Sequence, residues 1–108
     1  MVLEIAQIDV KPGMEAEFER GVAQAAPLFE RAQGCQSMEL QRSLEKPGRY
    51  RLFVRWSTLE DHTVAFRASD DFQEWRRLVG HCFERPPEVE HTVQTFNGFS
   101  RQAGSIQT

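Results

Sequence analysis

The chemistry this chain could do rests mainly on two histidines, an arginine, two tryptophans and one tyrosine. His62 follows Leu59 and precedes Phe66 at helical spacing, so it shares their inward-facing stripe. Such an imidazole is either a proton acceptor whose pKa is lowered by desolvation or a core histidine held by a backbone carbonyl. Arg76 comes four residues after Phe72 and three before Val79, at the border of an apolar stripe. Its guanidinium either meets an anion, such as a carboxylate or a substrate oxyanion, or lays its stem on the core and keeps its head in water. Trp56 and Trp75 offer flat faces for an aromatic ligand, or simply fill the core. His91, between Val89 and Val93 on one strand face, and Tyr50 are the remaining candidate substrate contacts. A proton acceptor and a cation beside aromatic walls suit general acid–base chemistry with stabilisation of an anion in an apolar pocket. A metal site is not expected, because His62, His81 and His91 stand on three separate elements with no local ligand spacing. Cys82 next to His81 gives no nucleophilic pair, since adjacent helical residues point different ways.

These side chains need a scaffold, and the hydrophobic periods supply one. Leu3–Val10 reads as a strand closed by Lys11-Pro12-Gly13. Ala6, Ile8 and Val10 share one face and Ile5 the other, which implies cover on both sides. Met14, Phe18, Val22, Ala25, Phe29 and Ala32 recur at steps of four or three and predict a long helix, kinked at Pro27 and ended by Gly34 in the C′ position. Gln36–Ser43 and Tyr50–Trp56 form a hairpin around Lys46-Pro47-Gly48, with Tyr50, Leu52, Val54 and Trp56 on one face. Two short helices follow. Overlapping capping boxes, Ser57 with Glu60 and Thr58 with Asp61, start the first, and Ser69 caps the second, which Pro86-Pro87 stops. Val89–Phe96 is the last strand, and residues 97–108 are a polar tail with a lone Ile106. The order β-α-β-β-α-α-β predicts an α+β, ferredoxin-like domain over residues 1–96, its helices on one face of a four-stranded antiparallel sheet. Ile5, Phe53 and either Met38 or Leu40 must then point away from the helices. An apolar outer face of that kind predicts a twofold homodimer joined sheet to sheet.

Composition narrows the function classes. The 108 residues, 40% hydrophobic and 27% charged, suit one globular core rather than two. Thirteen basic residues are scattered among sixteen acidic ones for a net charge of −3, leaving no basic stripe for nucleic acid. No apolar run reaches the roughly 18 residues of a membrane span, and the start has no basic n-region of a signal peptide. Cys35 and Cys82 are far apart and read as free thiols, so a cytoplasmic location is expected.

Several of these residues also resemble the antibiotic biosynthesis monooxygenase family of dimeric α+β barrels: Val10-Lys11-Pro12-Gly13, Phe18, Gly34-Cys35, Arg55-Trp56-Ser57, Phe66, Phe72 and Val89-Glu90-His91. The resemblance runs from about Val2 to Phe96 and implies oxidation of hydroquinones or anthrones by molecular oxygen with no metal or flavin. In the anthrone-oxidising branch an Asn lies within the third strand, a Trp closes it, a Tyr follows six residues later and an Arg twenty. Those positions hold Leu52, Trp56, His62 and Arg76 here. A haem-degrading branch uses Asn, Trp and His where this chain has Ala6, Ala65 or Phe66, and Trp75 or Arg76, so haem is set aside. The resulting expectation is a cofactor-independent monooxygenase of a small phenolic or quinol-like aromatic. His62 would be the proton acceptor, Arg76 the anion stabiliser, and Trp56, Trp75, His91 and Tyr50 the substrate contacts. The alternatives are a non-catalytic small-molecule-binding dimer and a non-oxidative isomerase or cyclase on the same scaffold.

Overall fold

A computed structural model describes residues 1–101. Its sheet is built from β1 (Val2–Asp9), β2 (Cys35–Arg42), β3 (Arg49–Trp56) and β4 (Glu88–Thr92). The strands lie in the order β2-β3-β1-β4, every neighbouring pair antiparallel. Helix α1 (Glu15–Glu30) links β1 to β2, and a π-helical segment (Asp61–Phe66) and helix α2 (Asp70–Val79) link β3 to β4. This is the ferredoxin-like arrangement.

Alternation along the strands decides which side chains meet the helices. Ala6, Ile8 and Val10 from the first strand region and Tyr50, Leu52, Val54 and Trp56 from β3 are all buried. Register pairs Ala6 with Leu52 and Ile8 with Tyr50. From α1 the same core receives Phe18, Val22, Ala25 and Phe29, and from α2 it receives Trp75 and Val79. Met38 and Leu40 also pack on this core, so the outer face carries Leu3, Ile5 and Phe53, all half-buried. Among the described residues no helix is long and apolar enough to cross a membrane. Cys35 and Cys82 are both free thiols.

Four boundaries differ from expectation. Helix α1 continues past Pro27 but ends at Glu30. Gly34 therefore sits beyond the helix, in the left-handed conformation (φ +76°), and its carbonyl accepts from the Ser57 amide at the start of β2. Of the two possible capping boxes only the second forms: the Asp61 amide donates to Thr58 Oγ1, and the Thr58 amide donates to Asp61 Oδ2. Helix α2 stops at Val79, well before Pro86. The chain there turns through a short 3-10 segment (Gly80–Cys82), and Phe83 is bridged to Val10. β4 ends at Thr92, not Phe96, because Thr92 already pairs with Leu3 and almost no β1 remains beyond it. Val93, Phe96 and Phe99 are consequently exposed. Ile106 lies outside the described residues.

Candidate active site

Between the inner sheet face and the helices that cover it is a cavity of about 570 Å³. Ala6, Ile8 and Leu52 form its floor, and Phe29, Phe66, Phe72 and Trp75 form its aromatic wall. The rings hold each other in place: Trp75 meets Phe29 edge-on at 5.1 Å, and Phe72 meets Phe66 edge-on at 5.7 Å. Ser69 sets this wall by accepting the Phe72 amide at the start of α2. A cavity of this size and lining suits a small flat aromatic.

Two buried polar side chains break the apolar lining, Glu4 and His62. Glu4 Oε1 accepts from Trp56 Nε1 at 3.0 Å and lies 3.4 Å from His62 Nε2. On the other side of the imidazole, His62 Nδ1 is 2.8 Å from His91 Nε2. Strand register explains the convergence, since Glu4 stands directly across from His91 in the β1–β4 pair and both face inward. The Thr58–Asp61 cap opens the segment that delivers His62. The result is a row of three ionisable groups, Glu4, His62 and His91, starting at the cavity.

Burial dominates their charge states. It pushes the Glu4 carboxyl up to about 7, against the Trp56 hydrogen bond and the Arg67 charge, which both lower it. Burial likewise lowers His62 to about 4, helped by the positive charge of Arg67 and by His91. His91 is also lowered, by burial and then Arg67. At neutral pH the imidazoles are therefore uncharged, while Glu4 is divided between acid and carboxylate. That makes Glu4 the group in the cavity best matched to proton exchange near pH 7.

The six residues singled out from sequence divide clearly. His62, Trp75 and Arg76 line the cavity. Arg76 is exposed at the rim, its guanidinium 5.9 Å from the Phe72 ring centre, so it both reaches the cavity and keeps its head in water. Trp56 is not a wall of the cavity. It is fully buried behind His62, rings stacked 5.1 Å apart at 17°, and so acts on the site through His62 and Glu4. His91 likewise stands behind His62 and outside the lining. Tyr50 is away from the cavity, packed on Phe18 at 4.9 Å and donating its hydroxyl to Glu19 at 2.6 Å. Its phenol is needed inside the core because a buried hydroxyl must find a partner. Four charged cavity residues, Glu4, Arg67, Glu84 and Arg85, escaped the sequence reading. Glu4 shares the strand parity of Ala6 and Ile8, which was the available signal.

The antibiotic biosynthesis monooxygenase family model matches residues 1–78, a span that includes Glu4, His62 and Arg76. The uncharacterized protein YczJ of Bacillus subtilis (strain 168) is 42% identical over 91 residues, 84% of this chain and 96% of that protein. A Bordetella bronchiseptica protein assigned by name to the antibiotic biosynthesis monooxygenases has a crystal structure similar at TM-score 0.87 and 57% identity, covering 88% of this chain and 97% of that one. SnoaB, a cofactor-independent oxygenase from Streptomyces nogalater, is similar at TM-score 0.76 over 90% of this chain and 95% of its own. At 21% identity, that last likeness is one of fold.

Proposed function

This chain belongs to the antibiotic biosynthesis monooxygenase family, and from that premise we propose that it oxidises a small phenolic or quinol-like aromatic with molecular oxygen in the Glu4–His62 cavity. The supporting observation is a carboxyl poised near neutrality, beside a neutral imidazole, in the wall of an aromatic-lined cavity. The Glu4 carboxylate takes the phenolic proton, with His62 holding the carboxylate in place and linking it to His91. Arg76 and Arg67 at the cavity wall steady the substrate anion. The anion passes an electron to oxygen, and the two radicals combine into a peroxide on the ring. The O–O bond then breaks with loss of water, using a proton returned by Glu4. For a quinol the balance is quinol plus O2 giving hydroxyquinone plus water. The substrate supplies all four electrons, so the reaction consumes no external reductant.

Oxygen uptake with a panel of hydroquinones and anthrones tests this. We expect one O2 consumed per substrate, with rates at least about tenfold lower in His62→Ala and Arg76→Ala. The absence of uptake with every substrate, or undiminished uptake in both variants, contradicts the proposal. Leu52 puts an apolar side chain on the floor where the anthrone-oxidising branch has an amide. Tight binding with no turnover would accordingly point to a binding protein, and turnover without oxygen to an isomerase or cyclase.

The working unit is a homodimer. Leu3, Ile5 and Phe53 form an apolar strip on the outer sheet face among Ser37, Glu39 and Arg55, and a second copy is the partner that would cover it. Sedimentation is expected to give twice the chain mass at micromolar concentration, with Phe53→Glu shifting it to the monomer. A wild-type monomer at high concentration overturns the assignment.

A further inference from the structure

A second group of chemically active side chains, none of which lines the cavity, lies where α1 meets the 3-10 segment. Glu17 on α1 and His81 and Cys82 on the 3-10 segment bring a carboxylate oxygen, an imidazole nitrogen and a sulfur within 4.8 Å of one another. His81 Nε2 and Glu17 Oε2 are in direct contact, both about half exposed, and Cys82 is fully buried beneath them.

The backbone holds these three residues together. The Lys11 amide donates to the Cys82 carbonyl at 2.8 Å, and the Phe83 amide donates to the Gly80 carbonyl at 3.2 Å, which sets the turn carrying His81 and Cys82. Gly21, one helical turn after Glu17, lets α1 close on the end of α2. A Cβ there would come within 2.8 Å of the Leu78 carbonyl oxygen. Glu17 and His81 also border a cleft of about 270 Å³ between the two helices.

We propose that Glu17, His81 and Cys82 bind a divalent zinc-class ion, with the fourth position open to the cleft. One thiolate, one imidazole and one carboxylate form a donor set that zinc accepts, and three protein ligands leave a tetrahedral position free. Tetrahedral zinc with bonds near 2.0–2.3 Å needs its ligand atoms roughly 3.3–3.5 Å apart, within reach of small side-chain rotations from this grouping. The ion takes the place of the direct contact between His81 Nε2 and Glu17 Oε2, and the Cys82 thiol releases its proton as the sulfur–metal bond forms. Lys11 and Arg20 lie close to the group, so the ion adds to local positive charge and the carboxylate and thiolate must offset it.

Titration of the reduced protein with Co2+ as a spectroscopic probe, followed by displacement with Zn2+, tests the site. One equivalent of Co2+ is expected to give a near-ultraviolet thiolate-to-metal charge-transfer band, removed stoichiometrically by Zn2+. The band should vanish in Cys82→Ser and persist in Cys35→Ser. His81→Gln and Glu17→Gln, at exposed positions that leave the core intact, should each weaken binding at least about tenfold. No band in the wild type, a band surviving Cys82→Ser, or unchanged affinity in both surface variants would overturn the site.

Discussion

Glu4→Gln is expected to lower oxygen-consuming turnover by at least about a hundredfold and to make the protein more stable above pH 7. Both effects follow from one group held in the wrong solvent. Glu4 is 5% exposed, and its carboxyl ionises at about 7 rather than at the ordinary 4.5. Between those values the folded state holds the proton more tightly than the unfolded chain, so stability falls as pH rises through that window. The full loss is on the order of 3 kcal/mol and is in place above about pH 8. Gln keeps the oxygen that accepts from Trp56 Nε1 but never acquires the buried charge. The opposite sign holds for His62: its ionisation is lowered from 6.5 to about 4, so its contribution is present above pH 6.5 and lost as pH falls toward 4. Wild type should therefore be most stable near pH 5–6.5, whereas Glu4→Gln should stay on a plateau at higher pH. Chemical denaturation at pH 5 and pH 8.5 reads the difference, since the gap between the two proteins should be small at the lower pH and large at the higher one. A gap that does not grow with pH would mean Glu4 is charged without penalty, and the case for it as the proton acceptor would go with it.

The sequence displayed the scaffold far better than the site, for a physical reason. Core-facing positions announce themselves by period: Ala6, Ile8 and Val10 at steps of two, Phe18, Val22, Ala25 and Phe29 at steps of three and four. A site is defined by what converges, and convergence depends on register. Glu4 and His91 are far apart along the chain and meet only because β4 pairs with β1 in one particular alignment. Glu4, in a strand that also carries Gln7 and Asp9, reads as a solvent-facing residue until its parity with Ala6 is taken seriously. Trp56 shows the converse limit. Its inward direction was legible, but whether it touched a ligand or backed a catalytic neighbour depended on His62 occupying the space in front of it. Tyr50 was drawn toward Glu19 on α1, a partner no local pattern reveals. Arg76 combined both readings offered for it, because a rim residue can line a cavity and remain hydrated.

The most damaging small substitution is expected to be Gly34→Ala, a residue that touches no substrate. Gly34 occupies the left-handed region at φ +76°, which costs a residue with a Cβ roughly 1–2 kcal/mol. The added methyl would also overlap the Asp61 carboxylate and come within 2.9 Å of the Asp61 Cβ. That carboxylate is engaged on two sides, accepting from Gln33 Nε2 at 2.9 Å and from the Thr58 amide at 3.2 Å. Driving it away dismantles the reciprocal Thr58–Asp61 cap, worth about 1 kcal/mol. The combined loss is roughly 2–4 kcal/mol, a fall in Tm on the order of 10 °C or more. Because Asp61 immediately precedes His62, the imidazole should shift from Glu4 and substrate affinity should drop as well. Gly80→Ala supplies the control: Gly80 has φ −60° and nothing within 4 Å of a built Cβ, so it should be neutral or slightly stabilising. A double-mutant cycle separates strain from collision. In an Asp61→Ala background the obstructing carboxylate is gone, and Gly34→Ala should cost only its backbone strain. If it costs as much there as in wild type, the carboxylate is not what confines position 34, and the link from this turn to His62 fails.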